Sequence, residues 1–274
     1  MKKVLLALLM AMFSLSGCDQ KTAQKLRVAE QRVTELESEL AILRTQNANL
    51  PFPALQVEIV EFFNRSETVN AEQVPTVEAQ VSVSRAKTGV EWLDLLLLKE
   101  AVLHFRIDEV DLYPFTEKKV IEFFNDLFEE NKYFAKRENM THFDDVRFSY
   151  VGQRHHIVTF KLQRYGYAGG ASTSGYEVYV NVDTNKKAVI RPEDLVAEVN
   201  AEKLWALLDK YDEKQNGEDS DLKLSDGYYR QATYSFYFTE YGVNFVLSPQ
   251  LEVKVPYNEL RTIMNQAYFP KALE

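Results

Sequence analysis

Hydrophobic residues along this chain follow two different periods in different segments. After Thr116, an expected N-cap, they recur at helical spacing, and the apolar face of the predicted helix comprises Val120, Phe123, Phe124, Leu127 and Phe128. Elsewhere they alternate or form short apolar runs, which predicts strands at 55–63, 77–83, 158–162 and 176–182. Strands mixed with separate helices predict an α+β fold, with antiparallel sheets packed against helices.

In several other segments the hydrophobic pattern is less regular. The run from Gly89 to Phe105 fits either a buried helix or a buried strand, because periodicity alone does not separate them. The polar segment from Asn64 to Gln73 is expected to separate two strands. A strand opening at Phe148 is predicted, and His155 and His156 are expected on the strand pattern, where adjacent side chains point to opposite faces.

The last third of the chain shows a helix, a hairpin and a further strand and helix. Asn200 is a plausible N-cap for a helix whose inward residues are Leu204, Leu207, Leu208 and Tyr211. The turn 239–242 joins two strands of a hairpin, and 251–255 forms a last strand. Pro256 is expected in the first turn of a closing helix, with inward residues Leu260, Ile263, Met264 and Ala267.

Residues 21–50 contain neither Gly nor Pro and predict a short coiled coil. Heptad positions a and d supply the expected oligomerisation residues Leu26, Val33, Leu36, Leu40, Leu43 and Asn47. Opposite charges at g and the following e, such as Arg32 with Glu37, favour a parallel homodimer, and Asn47 would set its register. The alternative is a lone amphipathic helix. Pro51 and Pro53 end the helix.

The first residues have the layout of a secretory signal, with two lysines followed by an apolar run too short to span a membrane. The sequence Leu15-Ser16-Gly17-Cys18 resembles the bacterial lipobox, in which the cysteine carries lipid such as palmitate. We therefore expect a signal peptide at 1–17, a lipid anchor on Cys18 with a stalk at 18–50, and α+β parts at 51–145 and 146–274. The expected location is the periplasm-facing cell envelope, on either membrane.

Charge argues against nucleic acid as a partner. The chain has 32 basic and 41 acidic residues, and loss of Lys2 and Lys3 with the signal leaves 30 against 41, a net charge of −11. An acidic surface favours a basic partner or simply maintains solubility. Contact with the membrane is expected through the lipid only.

Five motifs resemble the RsiV-like family in their order and content: 165–171 (Tyr-Gly-Tyr-Ala-Gly-Gly-Ala), 176–183, 192–195, 236–243 and 255–257. The resemblance is good over residues 148–267 and loose over 55–133. Such domains bind lysozyme outside the cell in an anti-sigma factor and accompany the catalytic domain of the peptidoglycan deacetylase PdaC. The resemblance implies a basic protein partner such as a lysozyme.

The loop motif supplies the expected partner-binding residues, which are Tyr165, Tyr167, Gly169, Gly170 and Ser172. Paired glycines let the backbone adopt positive φ or approach a partner closely, although a plain tight turn would also use them. Ser172 stands where the family usually has His, so a His-dependent role is not carried over. Sigma-factor control is not implied either, because the sequence shows no spanning helix or cytoplasmic sigma-binding segment.

Candidate catalytic patterns are incomplete. The sequence 170–174 lacks the final glycine of a nucleophile elbow, and 142–145 (His-Phe-Asp-Asp) lacks the second His motif of metal-dependent deacetylases. The acidic stretch 212–226 does not have EF-hand spacing. We therefore expect no catalytic residue, metal or cofactor. The favoured function is a tethered, non-catalytic binding module; the alternatives are a coiled-coil assembly factor of the envelope and, third, a cell-wall hydrolase.

Overall fold

The computed structural model describes residues 25, 27–34, 36, 52–70, 76–105, 114–169, 173–216, 234–248 and 251–270. The chain divides into two compact units, Met1–Pro51 and Phe52–Glu274. In the first unit, residues 27–34 are helical and form α1. The described elements of the second unit are, in chain order, β1 (Glu58–Val69), β2 (Val77–Lys87), α2 (Glu91–Leu103), α3 (Glu117–Glu138), β3 (His142–Arg154), β4 (Ile157–Ala168), β5 (Ser174–Asp183), β6 (Ala188–Val189), α4 (Pro192–Leu195), α5 (Ala201–Asn216), β7 (Ser235–Phe238), β8 (Gly242–Ser248), β9 (Leu251–Pro256) and α6 (Tyr257–Leu260).

The larger sheet has the strand order β1-β2-β3-β4-β5-β6. Neighbouring strands are antiparallel except β2 and β3, which are parallel. This pair is parallel because α2 and α3 form the crossover that such a connection requires. The α+β fold predicted from the sequence is confirmed, and among the described strands only β2 and β3 depart from antiparallel pairing.

The ambiguous segment 89–105 forms helix α2. Its buried residues Leu93, Leu97 and Ala101 recur every four positions, so they share one face of the helix. The carboxylate of Asp94 accepts a hydrogen bond from the Thr88 N–H at 2.8 Å, which ties the first turn to the end of β2. The helix is rich in leucine because most of its surface is buried.

Helix α3 begins where the sequence predicted. The Thr116 hydroxyl accepts a hydrogen bond from the Lys119 N–H, and Asn139 ends the helix in the left-handed conformation, with φ of 55°. Helices α2 and α3 cover one face of the larger sheet. The resulting core includes Val81, Leu97, Phe124, Phe128, Val158, Phe160, Leu162 and Val180.

A second core lies on the other face of the sheet, at the end formed by residues 157–159 of β4 and 181–183 of β5. The three-stranded sheet β7-β8-β9 and helix α5 build it. Ile157 belongs to this core whereas Val158 belongs to the first, because successive strand residues point to opposite faces. Other members include Leu204, Leu208, Phe236, Phe245, Val253 and Leu260.

Two strand predictions were wrong in extent. Strand β1 continues through the polar segment to Val69, because it pairs with β2 along its length, as far as Val69 opposite Val77. Strand β3 begins at His142 and not at Phe148, since its first residues pair with β2. The boundary expected between residues 145 and 146 falls inside β3, and the sheet continues across it.

Two further predictions were wrong in kind. His155 and His156 form the turn between β3 and β4, and His155 has φ of 52°, so they do not lie on a strand. The closing helix is only α6, because Met264 leaves helical conformation to form a bridge with Val196. Among the described residues, no helix is both long and apolar enough to cross a membrane.

Candidate functional site

The candidate site lies at the end of the larger sheet where β4 passes into β5. We call this the open end; it comprises residues 142–145 of β3, 164–168 of β4 and 174–177 of β5. Alternation of side chains divides these residues between two faces of the sheet. One face is turned toward α3, and the other is turned away from the helices.

A buried ion pair occupies the face toward α3. Asp144, whose side chain is 8% exposed, accepts hydrogen bonds from Arg164 Nε at 3.0 Å and Arg164 Nη2 at 2.7 Å. Asn131 of α3 donates to the other Asp144 oxygen at 3.1 Å and to the Gln80 carbonyl at 3.3 Å. These bonds supply the additional partners that a buried charge pair needs, and they tie α3 to three strands.

Small residues extend from this ion pair to the edge of the sheet. Asp144 is opposite Gly166 in the strand register, and Gly166 is opposite Ser174. A Cβ added to Gly166 would stand 3.2 Å from Asp144 Oδ1 and 3.3 Å from Ser174 Oγ. Glycine at this position therefore leaves space above the sheet that any larger residue would occupy.

A cleft of about 560 Å³ lies above these small residues. Its described lining carries three carboxylates, from Glu130, Glu138 and Asp144, and one guanidinium, from Arg164. Aromatic rings of Phe105, Phe123 and Phe134 form part of its wall. The lining of the cleft therefore combines apolar surface with more carboxylates than guanidinium groups.

The Glu138 carboxylate is held in its charged form. A hydrogen bond from Arg137, at 2.7 Å, lowers the pKa of Glu138, and His142 adds to this effect. His142 Nε2 lies 3.1 Å from Glu138 Oε2, and the His142 ring stacks on Phe134. This arrangement pairs the Glu138 carboxylate of the cleft lining with the Arg137 guanidinium.

The predicted binding residues Tyr165 and Tyr167 are on the opposite face. Tyr165 is 40% exposed and accepts a hydrogen bond from Gln163 through its hydroxyl at 3.2 Å. The Tyr167 ring stacks on Phe143, with 6.0 Å between centroids. The structure thus brings both tyrosines together on a partly exposed surface, whereas Gly166 between them faces the cleft.

Gly169 is required by its backbone conformation. Its φ is +79°, and an added Cβ would collide with Met140 Sδ. The predicted residues Gly170 and Ser172 lie outside the described residues.

Most of the residues predicted to carry lipid or to form the coiled coil also lie outside the described part of the chain. Cys18, Leu26, Leu40, Leu43 and Asn47 lie outside the described residues. Val33 and Leu36 are 54% and 46% exposed in the isolated chain. Lipid attachment and the coiled coil stay predictions.

Sequence reasoning missed the residues that form the cleft. Arg164 continues the apolar alternation of Phe160 and Leu162, so a charge on a predicted buried face was the available signal. Asn131 likewise follows Phe124 and Phe128 on the buried face of α3. A polar residue that continues an apolar face needs a partner, and here each one has it.

No metal centre is formed by the described residues: among them, no group of three or more His, Cys, Asp or Glu side chains is arranged to hold an ion.

Comparison with known proteins identifies the fold. No model of a known family matches the sequence, and no curated protein matches it either. The structure is similar to a member of the DUF3298 family from Bacteroides fragilis, with 16% identity, a TM-score of 0.57, and coverage of 78% of this chain and 96% of that chain. It is also similar to a DUF3298 family protein from Pseudomonas aeruginosa, with 14% identity, a TM-score of 0.54, and coverage of 80% and 98%. At these identities the likeness concerns the fold, and the RsiV-like resemblance stays a prediction.

Proposed function

We propose that this chain is an envelope lipoprotein that presents a non-catalytic binding module to a basic protein partner. The observation that carries the proposal is the partly exposed aromatic surface at the open end, formed by Phe143, Tyr165 and Tyr167. Tyrosine is enriched at protein interfaces because it combines a large apolar area with a polar group at modest entropic cost.

The aromatic surface has a stacked centre and a polar rim. Stacking of Phe143 on Tyr167 restricts both rings, and such restriction reduces the entropy lost on binding. Beside them, Lys161 forms an ion pair with Glu177 at 2.6 Å, and Gln163 donates to the same carboxylate at 3.1 Å. An aromatic centre with a hydrogen-bonded rim is typical of a protein interface.

Charge supports a basic partner. The excess of acidic residues, 41 against 32 basic, raises the rate at which a cationic protein meets this chain. A lysozyme is the first partner to test, because the RsiV-like resemblance implies one.

Calorimetric titration of the full chain with lysozymes of several types tests this proposal. Tyr165→Ala should weaken binding about tenfold or more, as expected for an interface anchor. Tyr150→Ala is the matched control, because Tyr150 has similar exposure, 37%, and lies on β3 outside the open end. Equal losses for both variants, or no binding to any lysozyme by folded protein, would argue against it.

Lipid attachment is tested separately. Radioactive palmitate should label the wild-type protein and not Cys18→Ala. Continued labelling and membrane association of the variant would contradict the lipoprotein proposal.

A second function, as a coiled-coil assembly factor, is favoured by the exposed side chains of Val33 in α1 and of Leu36. Sedimentation equilibrium should give a dimer for the chain from Asp19 onward and a monomer for the double variant Val33→Asp, Leu36→Asp. Equal masses for the chain from Asp19 onward and for the double variant would contradict an oligomeric stalk.

A further inference from the structure

The cleft at the open end keeps an unused hydrogen-bond donor. Arg164 binds Asp144 through Nε and Nη2, whereas its Nη1 forms no hydrogen bond with the described residues. A guanidinium carries five N–H groups, so the pairing with Asp144 leaves several of them for a ligand. Arg164 lines the cleft, and its side chain is 27% exposed.

An unused acceptor lies beside this donor. Asn131 Nδ2 donates to the Gln80 carbonyl and to the Asp144 carboxylate, and because both partners are acceptors they fix which way the amide points. Asn131 Oδ1 accepts no hydrogen bond from the described residues. Arg164 and Asn131 therefore present a donor and an acceptor on either side of one carboxylate.

Both atoms are open to solvent. Among the described residues, Arg154 Nε is the only side-chain nitrogen or oxygen that is closed to solvent and lacks a hydrogen bond. Arg164 Nη1 and Asn131 Oδ1 lack one as well, so each must reach solvent, although Asn131 as a residue is only 7% exposed. Since both residues line the cleft, a ligand would meet these atoms there.

The charges around the cleft compensate one another. Asp144 is paired with Arg164 at 2.7 Å, and Glu138 is paired with Arg137 at 2.7 Å. Glu130 is exposed, and ion pairs of exposed groups contribute little. A charged ligand would therefore lose hydration without gaining an unpaired counter-ion, whereas a neutral ligand avoids this penalty.

One wall of the cleft is apolar. It is formed by Phe105, Phe123, Leu127 and Phe134. Phe105 packs edge-to-face against Phe123, with 5.8 Å between the ring centroids. A ligand that fits needs an apolar face for this wall and neutral polar groups for Arg164 and Asn131. A sugar ring has both, because its C–H groups form apolar faces and its hydroxyls lie around the edge.

We propose that the cleft binds a neutral sugar, whose adjacent hydroxyls bind Arg164 Nη1 and Asn131 Oδ1 while a C–H face packs against the phenylalanine wall. A hydroxyl both donates and accepts through one oxygen, so two neighbouring hydroxyls satisfy both groups. A trans peptide amide points its N–H and C=O in opposite directions, so a single amide does not satisfy two groups that flank one carboxylate.

Size and position agree with this assignment. The cleft volume, about 560 Å³, lies within the range of about 300–1,000 Å³ that is typical of small-ligand sites. The cleft and the Tyr165 side chain are on opposite faces of the sheet, so the inference is independent of the proposed function and goes beyond it.

The first test compares disaccharides of different charge by calorimetric titration into the full chain. Cellobiose and N,N′-diacetylchitobiose are neutral. Chitobiose carries amino groups that are cationic in mildly acidic buffer, and cellobiuronic acid carries a carboxylate on the cellobiose frame. We expect a neutral disaccharide to bind and its charged analogues to bind about tenfold more weakly, because the cleft holds no unpaired counter-ion among the described residues.

Three results of this titration would overturn the inference. They are no binding of either neutral disaccharide, equally tight binding of a charged analogue, and equally tight binding of the neutral peptide N-acetyl-dialanine amide. The last result would make the cleft a peptide site.

The second test locates the sugar. Ser174→Trp should fill the cleft and weaken binding of the neutral disaccharide at least tenfold, because Ser174 belongs to the lining. Ser149→Trp is the matched control, since Ser149 is also an exposed serine of the larger sheet and lies outside the lining. Saturating disaccharide should also shift the side-chain Nε–H signal of Arg164 and the amide signals of Asn131 in the nuclear magnetic resonance spectrum of the wild type.

Equal affinities of the two tryptophan variants, or side-chain signals that do not move, would contradict binding in the cleft. If Ser174→Trp unfolds, the spectrum of the wild type decides.

The third test alters the charge compensation. Asp144→Asn keeps the shape of the side chain and leaves the Arg164 guanidinium without its counter-ion. We expect this variant to bind cellobiuronic acid more tightly than cellobiose, which reverses the order in the wild type. An unchanged order in the folded variant would show that paired charges do not set the preference for a neutral sugar.

Discussion

The two ends of strands β4 and β5 carry buried polar groups in different settings. At the sealed end, residues 157–159 and 181–183, the Thr159 hydroxyl donates to Asn181 at 2.9 Å, and Asn181 donates to the Phe236 carbonyl at 2.6 Å. Cores cover both faces of the sheet there. At the open end, one face bears the cleft, and the other bears the partly exposed Tyr165 and Tyr167.

The difference shows where recognition is possible in this fold. Polar groups at the sealed end are satisfied by the chain itself and shielded from solvent, so they specify how the small sheet docks. The side chains of Asp144, Arg164 and Asn131 at the open end are hydrogen-bonded too, but Arg164 is 27% exposed and a partner can approach it. The surface that we propose as functional thus lies where the second layer of the fold stops.

The largest loss of stability should come from removing a hydrogen-bonded side chain at the sealed end. Asn181→Ala leaves both the Thr159 hydroxyl and the Phe236 carbonyl without their partner in a region closed to water, so we expect a loss of about 3 kcal/mol of unfolding free energy. Urea denaturation measures it. A loss below about 1 kcal/mol would mean that water reaches this end as well.

Removing the Asp144 carboxylate at the open end should lower the free energy of unfolding by less. Asp144→Ala deprives Arg164 and Asn131 of their acceptor, but Arg164 is able to turn toward solvent, so we expect a loss of about 2 kcal/mol by the same measurement. Fully buried ion pairs cost about 3–5 kcal/mol when broken. A loss in that range would contradict an open cleft.

Acid should destabilise the protein by a smaller amount. Burial lowers the pKa of His104 despite the nearby Glu100 carboxylate, and burial also lowers the pKa of His156. Because both imidazoles accept a proton more readily when unfolded, stability should fall as the pH decreases through the ordinary histidine value of about 6.5.

The melting temperature measured between pH 7.5 and 5.5 checks this expectation. His104→Gln should flatten the dependence, since it removes one of the two groups. An unchanged slope in that variant would show that His104 does not contribute.

The smallest effect on stability should come from the exposed aromatic surface. Tyr165→Ala should change the unfolding free energy by less than about 0.5 kcal/mol, because the side chain is 40% exposed and the hydrogen bond from Gln163 to its hydroxyl is exposed to solvent. A binding loss combined with this small change would separate recognition from folding. A large stability loss would instead make Tyr165 a structural residue.

Local patterns in the sequence determined most of the elements. Thr116 begins α3 as predicted, and β4 buries Val158, Phe160 and Leu162 on one face as their alternation required. These features depend on neighbours within a few residues, so one chain segment contains the information.

Only the tertiary structure decided how distant segments meet. The pairing of β2 with β3 extended β3 back to His142, the bridge between Val196 and Met264 ended the last helix, and Asp144, Arg164 and Asn131 met from three elements. Each depends on strand order and register, which contacts across many residues fix and no local period encodes.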